Sequence, residues 1–146
     1  MTPRRADKVV LRFKDGRVLK GYLLNFSDSS NEVSIEETKK KNPKKISVDV
    51  LKAIFFVRTF KGDKQYRERK SYSISPKKGK KVYVKFTDAE SLLGYLNGEL
   101  PWQKGFHLSS PKEGKNGFFV YPVDTKGNNI KIYILNSSVK DIALVG

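Results

Sequence analysis

A chain of 146 residues is long enough for one ordinary domain or two small ones. Its hydrophobic and aromatic content suits a folded chain. No apolar run approaches the ~18 residues of a membrane span, and the lack of cysteine removes disulfides, thiolate metal sites and cysteine nucleophiles. Thirty Lys+Arg against fifteen Asp+Glu give a net charge of +15, which favours polyanionic partners through phosphate neutralisation and counterion release.

The first residues, MTPRRADK, carry no apolar core of a secretory signal, and together with the missing cysteines they predict a reducing cytoplasm. Val9 to Phe13 is β-branched and aromatic and predicts a strand. Asp15-Gly16 predicts a two-residue type I′ hairpin turn, and Val18 to Phe26 returns as a second strand, with a bulge or a close backbone approach at Gly21 where a small barrel bends. Glu32 to Glu37 predicts a third strand with Val33 and Ile35 inward. Thr38 to Lys45, with Asn42-Pro43 among lysines, reads as an exposed loop tip. Ile46 to Val48 reads as a fourth strand, Leu51 to Ala53 as a 3₁₀ turn, and Ile54 to Val57 as a buried fifth strand.

The stretch KVVLRFKDGRVLKGYL at Lys8 comes back as KVYVKFTDAESLLGYL at Lys81, 73 positions on. Val50 to Val57 (VLKAIFFV) matches Ser138 to Val145 (SVKDIALV) at a shift of 88, so the second copy carries 15 added residues within Asn97 to Gly117. Phe118 to Tyr121 and Ile130 to Leu135 complete its predicted strands, and no long helix is predicted. The expected architecture is all-β: two tandem small antiparallel barrels, residues 1–60 and 81–146, joined by a basic linker at 61–80.

Val9 to Ile35 resembles the Sm-like and Hfq-like family of small SH3-type barrels. The carrying residues are Asp15-Gly16, Gly21, Phe26 and Asn31. Ser27 stands where that family has an acidic residue, and Asp49-Val50 is the nearest counterpart of its Arg-Gly pair. The resemblance implies a small barrel and not an activity. VLKAIFFVRTFKGD also looks like the closing segment of bacterial domains of uncharacterised function. Asn25-Phe26-Ser27 and Ser30 faintly resemble the nucleotide-binding element of PilZ domains. The paired arginines that such binding requires are absent, since Arg67-Glu68-Arg69 has the wrong spacing.

The strongest functional signal in the sequence is the linker. Arg58, Lys61, Arg67, Arg69 and Lys70 offer cations for phosphates, and Tyr66 and Tyr72 offer rings for bases, the combination that serves RNA or single-stranded DNA. The same composition also fits a solvated spacer. The other function class is a protein-interaction or regulatory adaptor, with Trp102 in the insertion as its partner-binding residue. His107, the single histidine, reads as structural. No histidine pair, glycine-rich phosphate loop or nucleophile elbow is present, so the sequence predicts no enzyme, no metal and no cofactor.

Overall fold

The computed structural model describes residues 7–27, 29–38, 42–60, 80–96, 115–123 and 127–144. They form strands β1 (Asp7–Phe13), β2 (Val18–Asn25), β3 (Glu32–Glu37), β4 (Pro43–Ser47), β5 (Leu51–Val57), β6 (Lys80–Phe86), β7 (Ser91–Leu96), β8 (Gly117–Pro122), β9 (Asn129–Leu135) and β10 (Val139–Leu144). The other regular elements among the described residues are two single-turn 3₁₀ helices, Val48–Val50 and Asn136–Ser138. The chain is all-β, as its alternating sequence predicts.

The strands make one antiparallel sheet in the order β10-β6-β7-β8-β9-β5-β1-β2-β3-β4. Each half, β1–β5 and β6–β10, runs fifth strand, first, second, third, fourth. The halves meet where β5 pairs with β9, with Ile54 opposite Tyr133 and Phe55 opposite Ile132. The sequence leads one to expect two small barrels joined by a basic linker. The structure instead carries a continuous hydrogen-bonded sheet across the boundary, because the free edges of β5 and β9 satisfy each other's backbone groups.

Two apolar clusters form the core. One holds Val9, Leu11, Phe13, Val33, Ile35, Leu51, Ile54 and Phe56, and takes in Tyr133 and Leu135 from the second half. The other holds Val82, Val84, Phe86, Phe118, Val120, Ile132, Ile134 and Ile142, and takes in Ala53 from the first half. Successive side chains of a strand point to opposite faces. In β5, Ile54 and Phe56 therefore face the first cluster while Ala53 faces the second. In β9, Tyr133 faces the first while Ile132 and Ile134 face the second. This is why IFFV and IYIL are unbroken apolar runs: both faces of these strands are covered, as in the centre of a buried sheet. Burying one Ile, Leu or Phe completely stabilises the fold by about 1.5–3 kcal/mol. By contrast β1 alternates, with Val9, Leu11 and Phe13 buried between partly exposed neighbours.

Several local features differ from expectation. The hairpin at Asp15 is not type I′, since Gly16 has φ +96° but Asp15 keeps a negative φ. The Gly16 N–H donates to Phe13 O at 3.0 Å and the Phe13 N–H to Arg17 O at 2.9 Å. This is a three-residue loop with its glycine in the left-handed position. The Asp15 carboxylate accepts from the Arg17 N–H at 3.0 Å, which favours the negative φ at Asp15. Of the two readings of Gly21, the close approach holds and the bulge does not. A Cβ there would lie 2.5 Å from Glu36 O, and the register shift comes later, between Leu23 and Asn25. Pro43 opens β4 instead of breaking it, since β4 is an outer edge where a missing N–H costs little. The 3₁₀ turn falls at Val48–Val50, where Ser47 Oγ accepts from the Asp49 N–H, and so Leu51 to Ala53 are strand.

The second half repeats the first hairpin with a fault. Ala89 occupies the position of Gly16 and has φ +78°. The bonds are the same: the Ala89 N–H donates to Phe86 O at 3.1 Å and the Phe86 N–H to Glu90 O at 2.8 Å. An L-residue held there costs about 1–2 kcal/mol. Ala89→Gly is expected to stabilise the protein by about 1 kcal/mol, read as a higher denaturant midpoint at unchanged slope. Gly16→Ala should move the midpoint the other way.

Candidate nucleic-acid interface

The alternation that buries Val82, Val84 and Phe86 sends Lys81, Tyr83 and Lys85 to the opposite face of β6. Cross-strand register then sets the rest of that face. Tyr95 on β7 lies opposite Lys81, Leu93 opposite Tyr83, and Ser91 opposite Lys85. Tyr121 on β8 lies opposite Tyr95. Tyr83 is 41% exposed and Leu93 38% exposed, while Lys81, Tyr95 and Tyr121 are half-buried. The Tyr83 hydroxyl donates to Ser91 Oγ at 2.8 Å, which steadies its ring above the strand. Asp141 on β10, opposite Lys85, is the acidic residue of this face. The result is a solvent-facing sheet surface with three tyrosines and two lysines. Gly94 permits it: a Cβ there would strike the Val120 side chain and Tyr121 O, which would drive β8 away from β7.

The first half carries a related face. Lys8 on β1 lies opposite Tyr22 on β2, and Val10 opposite Lys20, with Arg12 further along β1. Lys8, Arg12 and Tyr22 stand at the same strand positions as Lys81, Lys85 and Tyr95. Two differences matter. The residue opposite Tyr22 is Glu36, where the second half has Tyr121. The chain also lies across this face itself. The Phe60 ring packs edge-on against Tyr22 with centroids 5.3 Å apart, Lys20 Nζ donates to Phe60 O at 3.1 Å, and Lys8 Nζ donates to Arg58 O at 3.4 Å.

Of the residues singled out in the sequence, Arg58 is described. It is exposed, and its Nε donates to Gly127 O at 2.9 Å, so it binds the loop before β9. Lys61, Tyr66, Arg67, Arg69, Lys70, Tyr72 and Trp102 lie outside the described residues, as does His107. The sequence reading missed the β6–β8 face. Its signal is the period-2 pattern of KKVYVKF, in which Lys81, Tyr83 and Lys85 alternate with Val82, Val84 and Phe86.

A second cluster sits beside the joint. Lys52 on β5 is 5% exposed, yet its ammonium is fully engaged. It meets Asp88 Oδ2 at 2.8 Å and also Glu90 Oε1, and lies 4.6 Å from the centre of the Phe86 ring. Ser138 Oγ donates to Lys52 O at 2.9 Å. Cation and carboxylates come from different halves, so the cluster pins the β6–β7 turn to β5. On the other side of the joint the Tyr133 hydroxyl bonds Asn116, whose Nδ2 donates to Ser30 O at 2.6 Å. Lys131 lies over the rings of Phe56 and Phe119, 5.0 and 4.7 Å from their centres. Every buried side-chain polar atom among the described residues has a hydrogen-bond partner, and no group of three or more His, Asp and Glu there could hold a metal. These clusters hold the halves in register.

Fold and surface together define a two-part antiparallel β-protein with a basic, tyrosine-rich sheet face. The chain belongs to a family of unknown function, DUF6982, whose model matches residues 5–146. No curated protein and no solved structure matches it.

The joint carries a pH signature. The Lys52 ammonium, and then the Glu90 N–H, hold the Asp88 carboxyl below its ordinary 3.8. A carboxyl lowered in the folded state stabilises the fold above its unfolded value and loses that contribution as pH falls through the folded one. Asp88→Asn should therefore lower the melting temperature near neutral pH. The difference from the wild type should close in strong acid, where Asp88 is protonated in both states. Thermal melts across an acid series check this.

Proposed function

We propose that this protein is a non-enzymatic module that binds single-stranded nucleic acid, RNA or DNA, on the outer face of β6, β7 and β8. The observation that carries the reading is the grouping of Tyr83, Tyr95 and Tyr121 with Lys81 and Lys85 on one solvent-facing sheet surface. Flat rings accept any base by stacking, and neighbouring ammonium groups neutralise the phosphates between stacked bases. The net charge of +15 supplies the long-range attraction. Lys61, Arg67, Arg69 and Lys70 precede β6 in the chain and extend the same chemistry along a strand. In this reading each half is a small barrel of the Sm-like type derived from one duplicated unit, and the protein works in the cytoplasm. Among the described residues no helix is long and apolar enough to cross a membrane.

The test is affinity for a short single strand measured at several salt concentrations. Lys81→Gln with Lys85→Gln should weaken binding to all sequences alike and flatten the dependence of log K on log salt by about 0.7 per lost phosphate contact. Tyr95→Ala should cost about 1–3 kcal/mol with little change in slope. Arg67→Ala with Arg69→Ala measures what the linker adds. If the wild type binds no nucleic acid even at low salt, the reading fails and a protein-interaction adaptor takes its place.

A further inference from the structure

The face on β1 and β2 is related to the proposed binding face by position, yet it is not open. Residues 58–60 lie on it, and the contacts they make are those a nucleotide strand would make. An aromatic ring, Phe60, sits on Tyr22. Two carbonyl oxygens, of Arg58 and Phe60, accept from the ammonium groups of Lys8 and Lys20. A base would stack in the place of the ring, and phosphate oxygens would take the place of the carbonyls. Each ammonium has three donors, so a charged oxygen would be the stronger acceptor for both lysines.

The segment is held from its other side as well. The Arg58 N–H donates to Asn128 O at 2.9 Å, which extends the β5–β9 ladder by one step. The Thr59 N–H donates to Asn128 Oδ1 at 3.1 Å, and Asn128 Nδ2 returns a bond to Thr59 O at 3.1 Å. One asparagine thus closes a two-way amide clamp on the segment. The corresponding tyrosine of the second half, Tyr95, faces Tyr121 and Lys81 and has no such segment over it among the described residues.

We propose that residues 58–60 act as an internal ligand covering a second single-strand site, built from Lys8, Arg12, Lys20 and Tyr22, so that each chain presents one open site and one latent site. This rests on the single-strand reading of the β6–β8 face. Opening the latent site requires release of Phe60 and of the Asn128 clamp, neither of which belongs to the core clusters, along with the exposed bonds of Arg58 to the loop at Gly127 and Asn128.

The experiment counts sites. A fluorescent tetra-uridylate, about the shortest strand that one small β-module covers, is titrated at low salt into wild type, Phe60→Ala and Asn128→Ala, with thermal melts to confirm folding. Asn128→Ala acts on the clamp without touching the β1–β2 face, so it serves where Phe60→Ala does not fold. The expected result is one oligonucleotide per wild-type chain and two per chain in either variant. Adding Tyr22→Ala should return the count to one, and adding Tyr95→Ala should remove the other site. The proposal is overturned if both variants still bind one, or if the wild type already binds two and Tyr22→Ala removes one of them. If the wild type binds none while the variants bind one that needs Tyr22, the latent site stands and the reading of the β6–β8 face falls. If no variant binds, both fall.

Discussion

The pairing of β5 with β9 is the constraint on which the structure depends. Each half by itself would leave a long strand edge with unpaired N–H and C=O groups and an apolar outer surface. Joining the two edges satisfies the backbone and also buries side chains that project away from their own half. Tyr133 and Leu135 leave the second half to complete the core of the first, and Ala53 does the reverse. β5 and β9 therefore each contribute side chains to both clusters. The polar groups flanking the joint follow the same logic. Lys52 reaches from one half to the carboxylates of the other, and Asn116 reaches back to the loop at Ser30. Units this small are near the lower limit for an independent core, and sharing two strands offsets that deficit.

The joint covers both faces of its two central strands, and the outer faces of the first and second strands of each half lie away from it. There the repeat retains a lysine opposite a tyrosine in both copies, while neighbouring positions diverge. Glu36 against Tyr121, and the Phe60 ring over Tyr22 in the first half, make the two faces chemically unequal. The same backbone thus carries two versions of one surface, one more aromatic and one occupied by the chain that follows β5.

Much of this fold was legible because it is written in strict alternation. Val9, Leu11 and Phe13 mark a one-sided strand, and the return of the pattern at Val82, Val84 and Phe86 gives the second half. The continuous sheet was not legible, because IFFV and IYIL show only that both faces are covered and not by what. The strand boundary at Leu51 was misplaced because the 3₁₀ turn depends on Ser47 capping Asp49, a local side-chain bond with no hydrophobic period. The candidate face was within reach. Its lysines and tyrosines alternate with the apolar residues of the repeat, but a run of charges in the linker is more conspicuous in a sequence than tyrosines spread over three strands.

The outer edge at β4 bears on how far such a sheet can extend. At the 88-residue shift that relates the closing strands, Lys44 and Lys45 stand where β9 has Ile132 and Tyr133, and Pro43 adjoins them. Another copy docking there in the register of the β5–β9 joint would have to seat the Lys45 ammonium where the joint buries a tyrosine ring. Burying an unpaired cation opposes that contact strongly. Pro43 also offers no N–H to an incoming strand. The chain thus joins its two halves by a mode of strand addition that its own far edge is built to refuse, and the sheet is self-terminating at ten strands on that side.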